Sequence, residues 1–545
     1  MSVSEQSKSR VSIALSRVTR EFCNKTSIHG LKYITEPNRT FGERTYWIVA
    51  TMLVLVFALL LMISFFGDII NTPTRESILP HQYPTWLLPF PAITFCNSNL
   101  IFLSKAMDFI KSMLGGVPED VNFDDLVQDT KMFLYVMGYN KDSPMNISTQ
   151  RLFRLQHLLD IHNKSFEEAM YQLSQPCSEM LVSCTIRGQF ADCLQIFETS
   201  KSHFGFCCSF NYQMSSQDNS PFIHVRASRA RRNAFNQLDA FSAGPERGVS
   251  VTMQPAVNDY FASTDHSAGI KVLVHNYIDY PSGLEVRSTL DVGRETFVSI
   301  TPKSRFGFEE LRELSPTLRK CFFHDEIKLK YFAYYSFKNC LIEARMDSVI
   351  ETCNCLPFNY PKLNNVKTCS LGDHICLKKF TNDWDNKSDS TITVMIQGSH
   401  IDCLEECTYF SYDISSTTGD LEAPQFNGIT SGTRNASKNE VVVHLFYDDH
   451  ITSRHQRQTS YAQQHQLAMV GGIFGLVLGC SVISIIEMIY FYTIRFLQYL
   501  RSSTLPHPAL EETVSPQKIV KPPTLVRPYR PTTGNNVPAT TDFIL

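Results

Sequence analysis

The chain of 545 residues lacks the short motifs that mark the common hydrolases and nucleotide-using enzymes. It has no Gly-x-Ser-x-Gly nucleophile elbow, no His-Glu-x-x-His zinc helix and no Gly-x-x-x-x-Gly-Lys phosphate loop. Its formal net charge of −3 shows no basic excess of the kind that nucleic-acid binding requires. These absences predict a protein that is not an enzyme, holds no cofactor and binds no nucleic acid.

Charged residues are missing from one long segment and nearly missing from a second. Tyr46 to Phe66 has 21 residues without a charge, enough for a helix across a hydrocarbon core of roughly 30 Å. The second segment, about Leu467 to Tyr492, has Glu487 as its one charged residue. It also contains four glycines, Gly471, Gly472, Gly475 and Gly479. Glycines let helices approach closely, and an intramembrane charge usually faces a polar interior, so this second span is predicted to line a polar pathway.

Basic residues flank the outer ends of both segments. Those before the first segment are Lys8, Arg10, Arg17, Arg20, Lys25, Lys32, Arg39 and Arg44, and those after the second are Arg495 and Arg501. The positive-inside rule therefore predicts that both termini are cytosolic and that the region between the segments lies outside the cell. A signal peptide is a poor alternative, because the first segment is too long and begins too far from Met1.

Cysteine is concentrated between the two segments, where 14 of the 16 cysteines lie. An even number in an extracellular region predicts an oxidised domain with up to seven disulfide bonds. Zinc is the alternative, because Cys353 with Cys355 and Cys403 with Cys407 resemble ligand pairs. No matching pair sits at finger spacing, so no metal site is predicted. Four sequons in this region are predicted glycosylation sites, Asn146, Asn163, Asn386 and Asn435.

Alternating apolar residues predict strands in PFPAITFC, GIKVLVHNYI, ETFVSITP and EVVVHLFY, and helical spacing predicts helices between residues 100 and 175. The residues from 502 onward are Pro-rich and are predicted not to pack. Arg229, Arg231 and Arg232 fit an Arg-x-Arg-Arg protease site. A solvated basic patch is the alternative for these arginines.

Five motifs, in order along the chain, resemble the epithelial sodium channel/degenerin family, and most of all its insect pickpocket group. They are Phe22-x3-Thr26-x2-His29-Gly30-x2-Tyr33, Phe90 to Asn97, Gly205 to Asn211, Leu314-Ser315-Pro316 with Arg319 and Cys321, and Gly479-Cys480-Ser481. The resemblance covers about residues 22 to 495.

This resemblance implies a two-span transmembrane α-helical protein with a large disulfide-rich α/β extracellular domain, assembled as a trimer. It implies a cytosolic head with a His-Gly motif (1–45), a first span (46–66), an extracellular domain of palm, finger, knuckle and thumb (67–466), a pore-lining second span (467–495) and a cytosolic tail (496–545). The implied function is a sodium-selective, amiloride-sensitive plasma-membrane channel in contact with lipid. It would be formed with itself or with related subunits, in sensory or epithelial tissue. Sodium is then the permeant ion, and opening is constitutive or follows an extracellular stimulus that the sequence does not identify.

The family's positions also imply disulfide pairs. These are Cys96–Cys208, Cys184–Cys193, Cys321–Cys407, Cys340–Cys403, Cys353–Cys376 and Cys355–Cys369. The remaining Cys177 and Cys207 are left to pair with each other.

Gly479, Cys480 and Ser481 fall where the family has its selectivity tract. Carbonyls close to the axis and a serine hydroxyl supply oxygen ligands to a partly dehydrated cation. The positions implied to act in the pore or in gating are His29, Gly30, Ala468, Gly475 and Glu487. Helix packing is an equal explanation for Gly471 and Gly475. A turn is the alternative for the His-Gly pair, and capping against Arg495 is the alternative for Glu487.

One alternative function is a two-span scavenger-type receptor, which binds lipid or lipoprotein without conducting ions. Such a receptor needs neither a Gly-x-Ser tract nor a charged residue in its second span. ATP-gated channels share the two-span plan, but their cysteine arrangement differs and the extracellular lysines that bind triphosphate are not matched.

Overall fold

The computed structural model of the chain describes residues 3–79, 83–113, 122–137, 149–213, 218, 220–223, 243–283, 285–385, 393–396, 399–421, 438–460 and 463–501. Its contacts divide the chain into two compact units. One unit comprises Met1–Met62 with Ala468–Leu545, and the other comprises Ile63–Leu467.

The α-helices are α1 (Val3–Lys25), α2 (Leu31–Thr35), α3 (Phe41–Asn71), α4 (Leu103–Ser112), α5 (Phe123–Asp129), α6 (Phe133–Val136), α7 (Thr149–Ile161), α8 (Phe166–Leu173), α9 (Cys177–Met180), α10 (Cys193–Ile196), α11 (Pro316–Arg319), α12 (Phe337–Cys353), α13 (His374–Asp385), α14 (Gln463–Leu478), α15 (Val482–Tyr490) and α16 (Phe496–Arg501). A π-helical turn, Phe491–Arg495, joins the last two.

The strands are β1 (Thr74–Ile78), β2 (Tyr83–Pro84), β3 (Ala92–Asn97), β4 (Asn99–Phe102), β5 (Leu181–Ile186), β6 (Gln189–Ala191), β7 (Phe197–Ser202), β8 (Gly205–Phe210), β9 (Val249–Met253), β10 (Tyr260–Ser263), β11 (Gly269–His275), β12 (Val286–Asp291), β13 (Arg294–Gly307), β14 (Thr393–Ile396), β15 (Ser399–Asp402), β16 (Tyr409–Asp420), β17 (Val441–Tyr447), β18 (Ile451–Thr452) and β19 (Arg454–Thr459).

Helix α3 contains the first apolar segment and extends it at both ends. A capping box starts the helix, because the Thr40 N–H donates to Glu43 Oε2 (3.1 Å) and the Glu43 N–H donates to Thr40 Oγ1 (3.4 Å). Among the helices in the described ranges, α3 alone is long and apolar enough to cross a membrane as a single helix.

The second apolar segment is not one straight helix. Residues Gln464–Leu478 and Val482–Arg501 form two helical stretches that meet at 71°, and the pair is long and apolar enough to count as one broken span. The sequence predicted a single pore-lining helix over 467–495, and this continuity is wrong. The physical cause is the left-handed backbone conformation at Gly479.

The larger unit contains two large sheets with apolar residues packed between them, and three two-stranded sheets, β4 with β10, β14 with β15 and β2 with β18. The first has the strand order β1-β19-β13-β17-β9-β5-β6 with β16 also paired to β13, and the second has the order β12-β11-β3-β8-β7. In β17 alternation places one face inward, with Val441, Val443, Leu445 and Tyr447 buried, whereas β3 and β11 are buried along their whole length. The four strands predicted from the sequence are confirmed as β3, β11, part of β13 and β17.

A second apolar core lies under the helices of the same unit. This core is formed by apolar side chains of α4, α5, α7 and α8 together with those of α12 and of the segments that follow α12. Phe166 joins these parts, because its ring packs edge-on against Phe133 at 5.3 Å and against Phe358 at 5.4 Å. The predicted helices between residues 100 and 175 are therefore present in the described part of that range.

Seven disulfide bonds hold the larger unit together. Five join the implied partners, Cys184–Cys193, Cys321–Cys407, Cys340–Cys403, Cys353–Cys376 and Cys355–Cys369. The other two bonds are Cys96–Cys207 and Cys177–Cys208. The implied pairs Cys96–Cys208 and Cys177–Cys207 are therefore wrong.

Strand register explains the exchange. β3 and β8 are antiparallel, and Phe95 lies opposite Cys208. The next pair along the ladder is Cys96 with Cys207, whose Cα atoms are 4.7 Å apart. Successive side chains of a strand point to opposite faces, so Cys208 faces away from Cys96 and reaches Cys177 instead.

A buried ion cluster links α8 to β7. Lys201 Nζ lies 2.9 Å from Glu167 Oε1 and 3.6 Å from Asp218 Oδ1, and these three side chains are at most 3% exposed. Lys201 Nζ also donates to the carbonyl of Tyr360 at 3.3 Å. Burial raises the pKa of Glu167, but the charges of Lys201 and its neighbours outweigh burial and hold this pKa below its ordinary value.

Several predicted surface sites fall outside the described residues. These are the sequons at Asn146, Asn386 and Asn435 and the possible protease site at Arg229, Arg231 and Arg232. Asn163 is described and lies just after α7 with its side chain exposed. Its glycosylation stays a prediction that this exposure permits.

Candidate functional site

The second apolar segment breaks at Gly479, Cys480 and Ser481. Gly479 has φ +64°, a left-handed conformation that glycine adopts without the steric cost that a Cβ brings. The Gly479 N–H still donates to the Gly475 carbonyl at 3.0 Å, and the Cys480 N–H donates to the Phe474 carbonyl at 3.2 Å. The three residues predicted as the selectivity tract thus form the turn between α14 and α15.

Ser481 starts the second helical stretch. Its hydroxyl accepts from the Ser484 N–H at 3.3 Å, and the Ser484 hydroxyl accepts from the Ser481 N–H at 3.2 Å. This reciprocal cap satisfies backbone donors that a helix start leaves without intrahelical partners. The sequence predicted an ion-facing hydroxyl at Ser481, and the cap gives the same hydroxyl a structural role.

The loop between α1 and α2 lies directly against this break. The His29 N–H donates to the Leu478 carbonyl at 2.9 Å, and the hydroxyls of Ser27 and Ser484 are 2.8 Å apart. A Cβ at position 479 would lie 2.6 Å from His29 Nε2. The structure therefore brings the predicted residues His29 and Gly479 together.

Gly30 is tightly fitted on the other side of the same loop. It has φ +87°, and an added Cβ would lie 2.2 Å from Cγ2 of Thr51 on α3. A turn therefore accounts for part of the requirement for glycine at position 30, because Gly30 has a positive φ. The close approach to α3 is a second requirement for glycine that the sequence did not predict.

Helix α1 packs against the end of the second segment. Arg495 Nε donates to Glu21 Oε2 and Arg495 Nη2 donates to Glu21 Oε1, each at 3.1 Å. Tyr499 OH also donates to Glu21 Oε2 at 3.1 Å. The ring of Phe22 packs against Phe491 at 5.8 Å. Hydrogen bonds from Arg495 lower the pKa of Glu21 to about 2, although partial burial opposes them. We call this group of residues the Glu21 cluster.

The other predicted pore and gating residues lie along the second segment. Ala468 and Gly475 are exposed on α14. Glu487 is half-buried on α15, and its Oε2 atom is buried without a hydrogen-bond partner. Arg495 bonds Glu21, so the explanation that Glu487 pairs with Arg495 is not supported.

The Glu21 cluster and Thr51 were missed by sequence reasoning. Phe22 had been noted as a motif residue, but its partner Phe491 lies hundreds of residues away. The signal for α1 was present, because Ala14, Val18 and Phe22 recur at helical spacing and are buried on one face.

Within the described ranges, one group of three potential metal ligands lies close together, formed by Cys355, Cys369 and Asp373. The two sulfurs are joined in a disulfide, so this group offers no thiolate to a metal ion.

The chain thus combines a disulfide-rich unit with one helix long and apolar enough to cross a membrane and with a bent helix pair that would count as a second, broken span. The chain belongs to the family described as "Amiloride-sensitive sodium channel", whose sequence profile matches residues 22–491. Members of this family are plasma-membrane ion channels, which confirms the resemblance and the prediction that the chain is not an enzyme. The family match also removes the scavenger-receptor alternative.

Individual relatives agree with this assignment. The chain is 25% identical to the sodium channel protein Nach of Drosophila melanogaster over 486 residues, 88% of each chain. It is 24% identical to pickpocket protein 28 of the same species over 527 residues, 90% of this chain and 80% of the relative. It is 25% identical to the bile acid-sensitive ion channel of Rattus norvegicus over 483 residues, 87% of each chain.

Replacement of Gly479 by Ala is expected to reduce current per surface channel roughly 5- to 150-fold. The new Cβ strains a left-handed backbone and meets the His29 ring, and such strain costs about 1–3 kcal/mol. The measurement is whole-cell current normalised to surface protein. Gly42→Ala is the matched control and should change little, because no atom beyond the helix's own nearby backbone lies within 4 Å of the place that a Cβ at position 42 would take.

The same contact predicts a coupling. Gly479→Ala should be less damaging in a His29→Ala background, where the ring is absent. Fully additive effects of the two substitutions would contradict the contact.

Proposed function

We propose that the chain is a subunit of a trimeric, sodium-selective and amiloride-sensitive cation channel of the plasma membrane. Both termini are cytosolic, the 63–467 unit is extracellular, and the broken second segment crosses the membrane as the pore-lining span. The pore opens constitutively or in response to an extracellular stimulus, in a sensory or epithelial setting.

The observation that carries this proposal is the docking of the His-Gly loop at the break. A plain membrane anchor has no need of a left-handed glycine in mid-segment, nor of a partner loop that donates to the last carbonyl of α14. Backbone freed from regular helix is tolerated at membrane depth where it is buried in protein or lines a polar cavity. The break at Gly479–Ser481 is therefore the place for the ion-coordinating constriction.

The chemistry of the constriction follows from its oxygens. The carbonyls around Gly479 and the hydroxyl of Ser481 are neutral oxygen ligands, which replace part of the hydration shell of a small cation. Three subunits supply three copies of each ligand around one axis. Glu487, farther along the segment, attracts cations to the cytosolic side of the constriction.

Small residues on α14 support close assembly of subunits. Ala468, Gly471, Gly472 and Gly475 recur every three or four residues and are exposed along the helix. Such a stripe lets neighbouring helices approach closely in a membrane. The partners are further copies of this chain or related channel subunits.

Whole-cell recording tests the proposed function. The chain is expressed alone and with a related subunit, and external sodium is replaced by potassium or by a large impermeant cation. The expected result is an inward sodium current that amiloride blocks and that falls sharply in potassium. No current above background with protein at the surface, in either combination, would refute the channel proposal. Equal sodium and potassium currents would refute the filter assignment alone.

Replacement of Ala468 by Val is expected to raise resting current. The added methyl groups overpack a close contact between helices, which costs at least about 1 kcal/mol, and the shut state has the tighter contact. The open-to-shut ratio should then rise roughly fivefold or more. Unchanged current at equal surface expression would argue that Ala468 does not lie at the packed gate.

A further inference from the structure

A cavity of about 180 Å³ lies within the 63–467 unit. It is bounded by the end of β11, the start of α12 and the residues that lead into β16. Asn276, Asp279, Phe337, Lys338, Glu406 and Tyr409 are among the residues that line it. Nothing in the proposed conduction pathway uses these residues.

Two buried oxygens in this lining have no hydrogen-bond partner. They are Asn276 Oδ1 and Asp279 Oδ1, and the two residues are 7% and 5% exposed. A buried acceptor left without a donor is unfavourable, because it has lost its hydrogen bonds to water without replacing them. A ligand that donates hydrogen bonds here would therefore recover an energy that the protein alone does not.

The charges of the lining favour a cation. Asp279 Oδ2 lies 3.7 Å from Lys338 Nζ, and Glu405 is paired with Arg305 at 2.9 Å. Glu406 adds a further carboxyl to the same cavity. The cavity lining thus holds the carboxyls of Asp279 and Glu406 against one ammonium group, that of Lys338. Burial raises the pKa of Asp279, and the charge of Lys338 opposes this shift.

His275 does not add a positive charge at neutral pH. Its Nε2 lies 2.9 Å from Thr94 Oγ1, and its Nδ1 lies 3.0 Å from the Asn276 carbonyl. Burial lowers the pKa of His275 to about 4. His275 therefore adds no second positive charge beside Lys338 in the neutral range.

The spacing of the ligands favours an organic cation over a metal ion. In the described part of the chain, the lining brings no three carboxylate or imidazole ligand atoms within 4.8 Å of one another. The walls include the side chains of Phe337, Phe410 and Tyr409, which offer apolar contact to the body of an organic cation. A cavity of about 150 Å³ is already large enough to hold benzene.

We propose that this cavity is a binding site for a small organic cation, an ammonium or guanidinium group on an aromatic or apolar body. The cationic end donates to Asp279 and Asn276, and the body lies against Phe337 and Tyr409. The inference concerns binding by the disulfide-rich unit, so it stands whether or not the chain conducts sodium.

A proton linkage follows from Glu406. Burial and the nearby charge of Asp279 raise the pKa of Glu406 to about 7. A bound cation favours the ionised carboxyl, so binding at pH 7 should release part of a proton. Binding should weaken as the pH falls below 7, because Glu406 is then increasingly protonated in the free protein.

The test uses the purified full-length chain in detergent, with 2-phenylethylamine as the probe and the uncharged 2-phenylethanol as its match. Calorimetric titration at pH 7 should show binding of the amine and at least tenfold weaker binding of the alcohol. Asp279→Asn should weaken amine binding at least tenfold, whereas Glu405→Gln, which removes a carboxylate already paired with Arg305, should change it less than about twofold.

A second measurement, of proton release on binding, tests the site independently if the Asp279→Asn variant is unstable. Titrations in two buffers of different ionisation enthalpy should reveal proton release for the native chain and none for Glu406→Gln. Equal binding of amine and alcohol, or undiminished amine binding by Asp279→Asn, would overturn the proposal, and so would proton release that persists in Glu406→Gln. Melting curves without ligand confirm that each variant is folded.

Discussion

Replacement of Gly30 by Ala should reduce the current per surface channel to background. The residue has φ +87°, and its added Cβ would overlap Cγ2 of Thr51 at 2.2 Å. A hydrogen bond from Thr51 Oγ1 to the Trp47 carbonyl at 2.8 Å holds that side chain in place, and a β-branched side chain on a helix has few other rotamers. Backbone strain and overpacking together cost about 4 kcal/mol, roughly a thousandfold in occupancy of the docked loop.

Gly42→Ala is the matched control for Gly30→Ala, because no atom beyond the helix's own nearby backbone lies within 4 Å of a Cβ at position 42. Current recording and surface biotinylation of the same cells separate loss of opening from loss of protein. In the Gly30→Ala background, Thr51→Ser removes Cγ2 but leaves the backbone strain, so it should restore part of the current. Native current from Gly30→Ala would show that the docked loop is not needed for conduction.

Replacement of Lys201 by Met should destabilise the 63–467 unit by about 3–5 kcal/mol, because it leaves Glu167 and Asp218 as buried charges without their cation. We expect little or no protein at the cell surface and a lowered melting temperature in detergent. Lys362→Met is the matched control. Its ammonium lies 3.5 Å from Glu167 but its side chain is 36% exposed, so a loss of less than about 1 kcal/mol is expected.

The same cluster predicts a dependence of stability on pH. The pKa of Glu167 is lowered in the folded chain, so its contribution is complete above the ordinary value of about 4.3 and is lost as the pH falls below that value. Melting curves of the native chain should therefore show this loss only in acid. If Lys201→Met melted like the native chain at pH 7, the cluster would not be stabilising.

The parts of the fold that the sequence predicted are those set by local patterns. The first span follows from an unbroken apolar run, and β17 follows from strict alternation. The exchange at Cys207 and Cys208 was not predictable, because adjacent cysteines differ only in which face of a strand they occupy, and register decides that.

The candidate site was predicted in its residues but not in its contacts. His29, Gly30 and Gly479 were named from the family motif, yet their meeting depends on a tertiary contact that no local pattern contains. The pair of Glu21 and Arg495 was missed for the same reason, since 474 residues separate the two.

The docked loop also imposes an order on biosynthesis. Ser27 and Ser484, which touch in the finished chain, are 457 residues apart. At roughly 5–20 residues per second, the nascent head leaves the ribosome roughly 20–90 s before its partner has been made. During that interval the loop and the apolar face of α1 lack their partners on the second segment, although Thr51 of α3 already follows the loop in the chain. A chaperone that binds residues 3–35 of the nascent chain would therefore block their late docking on the second segment. It would leave the earlier folding of the rest of the chain unaffected.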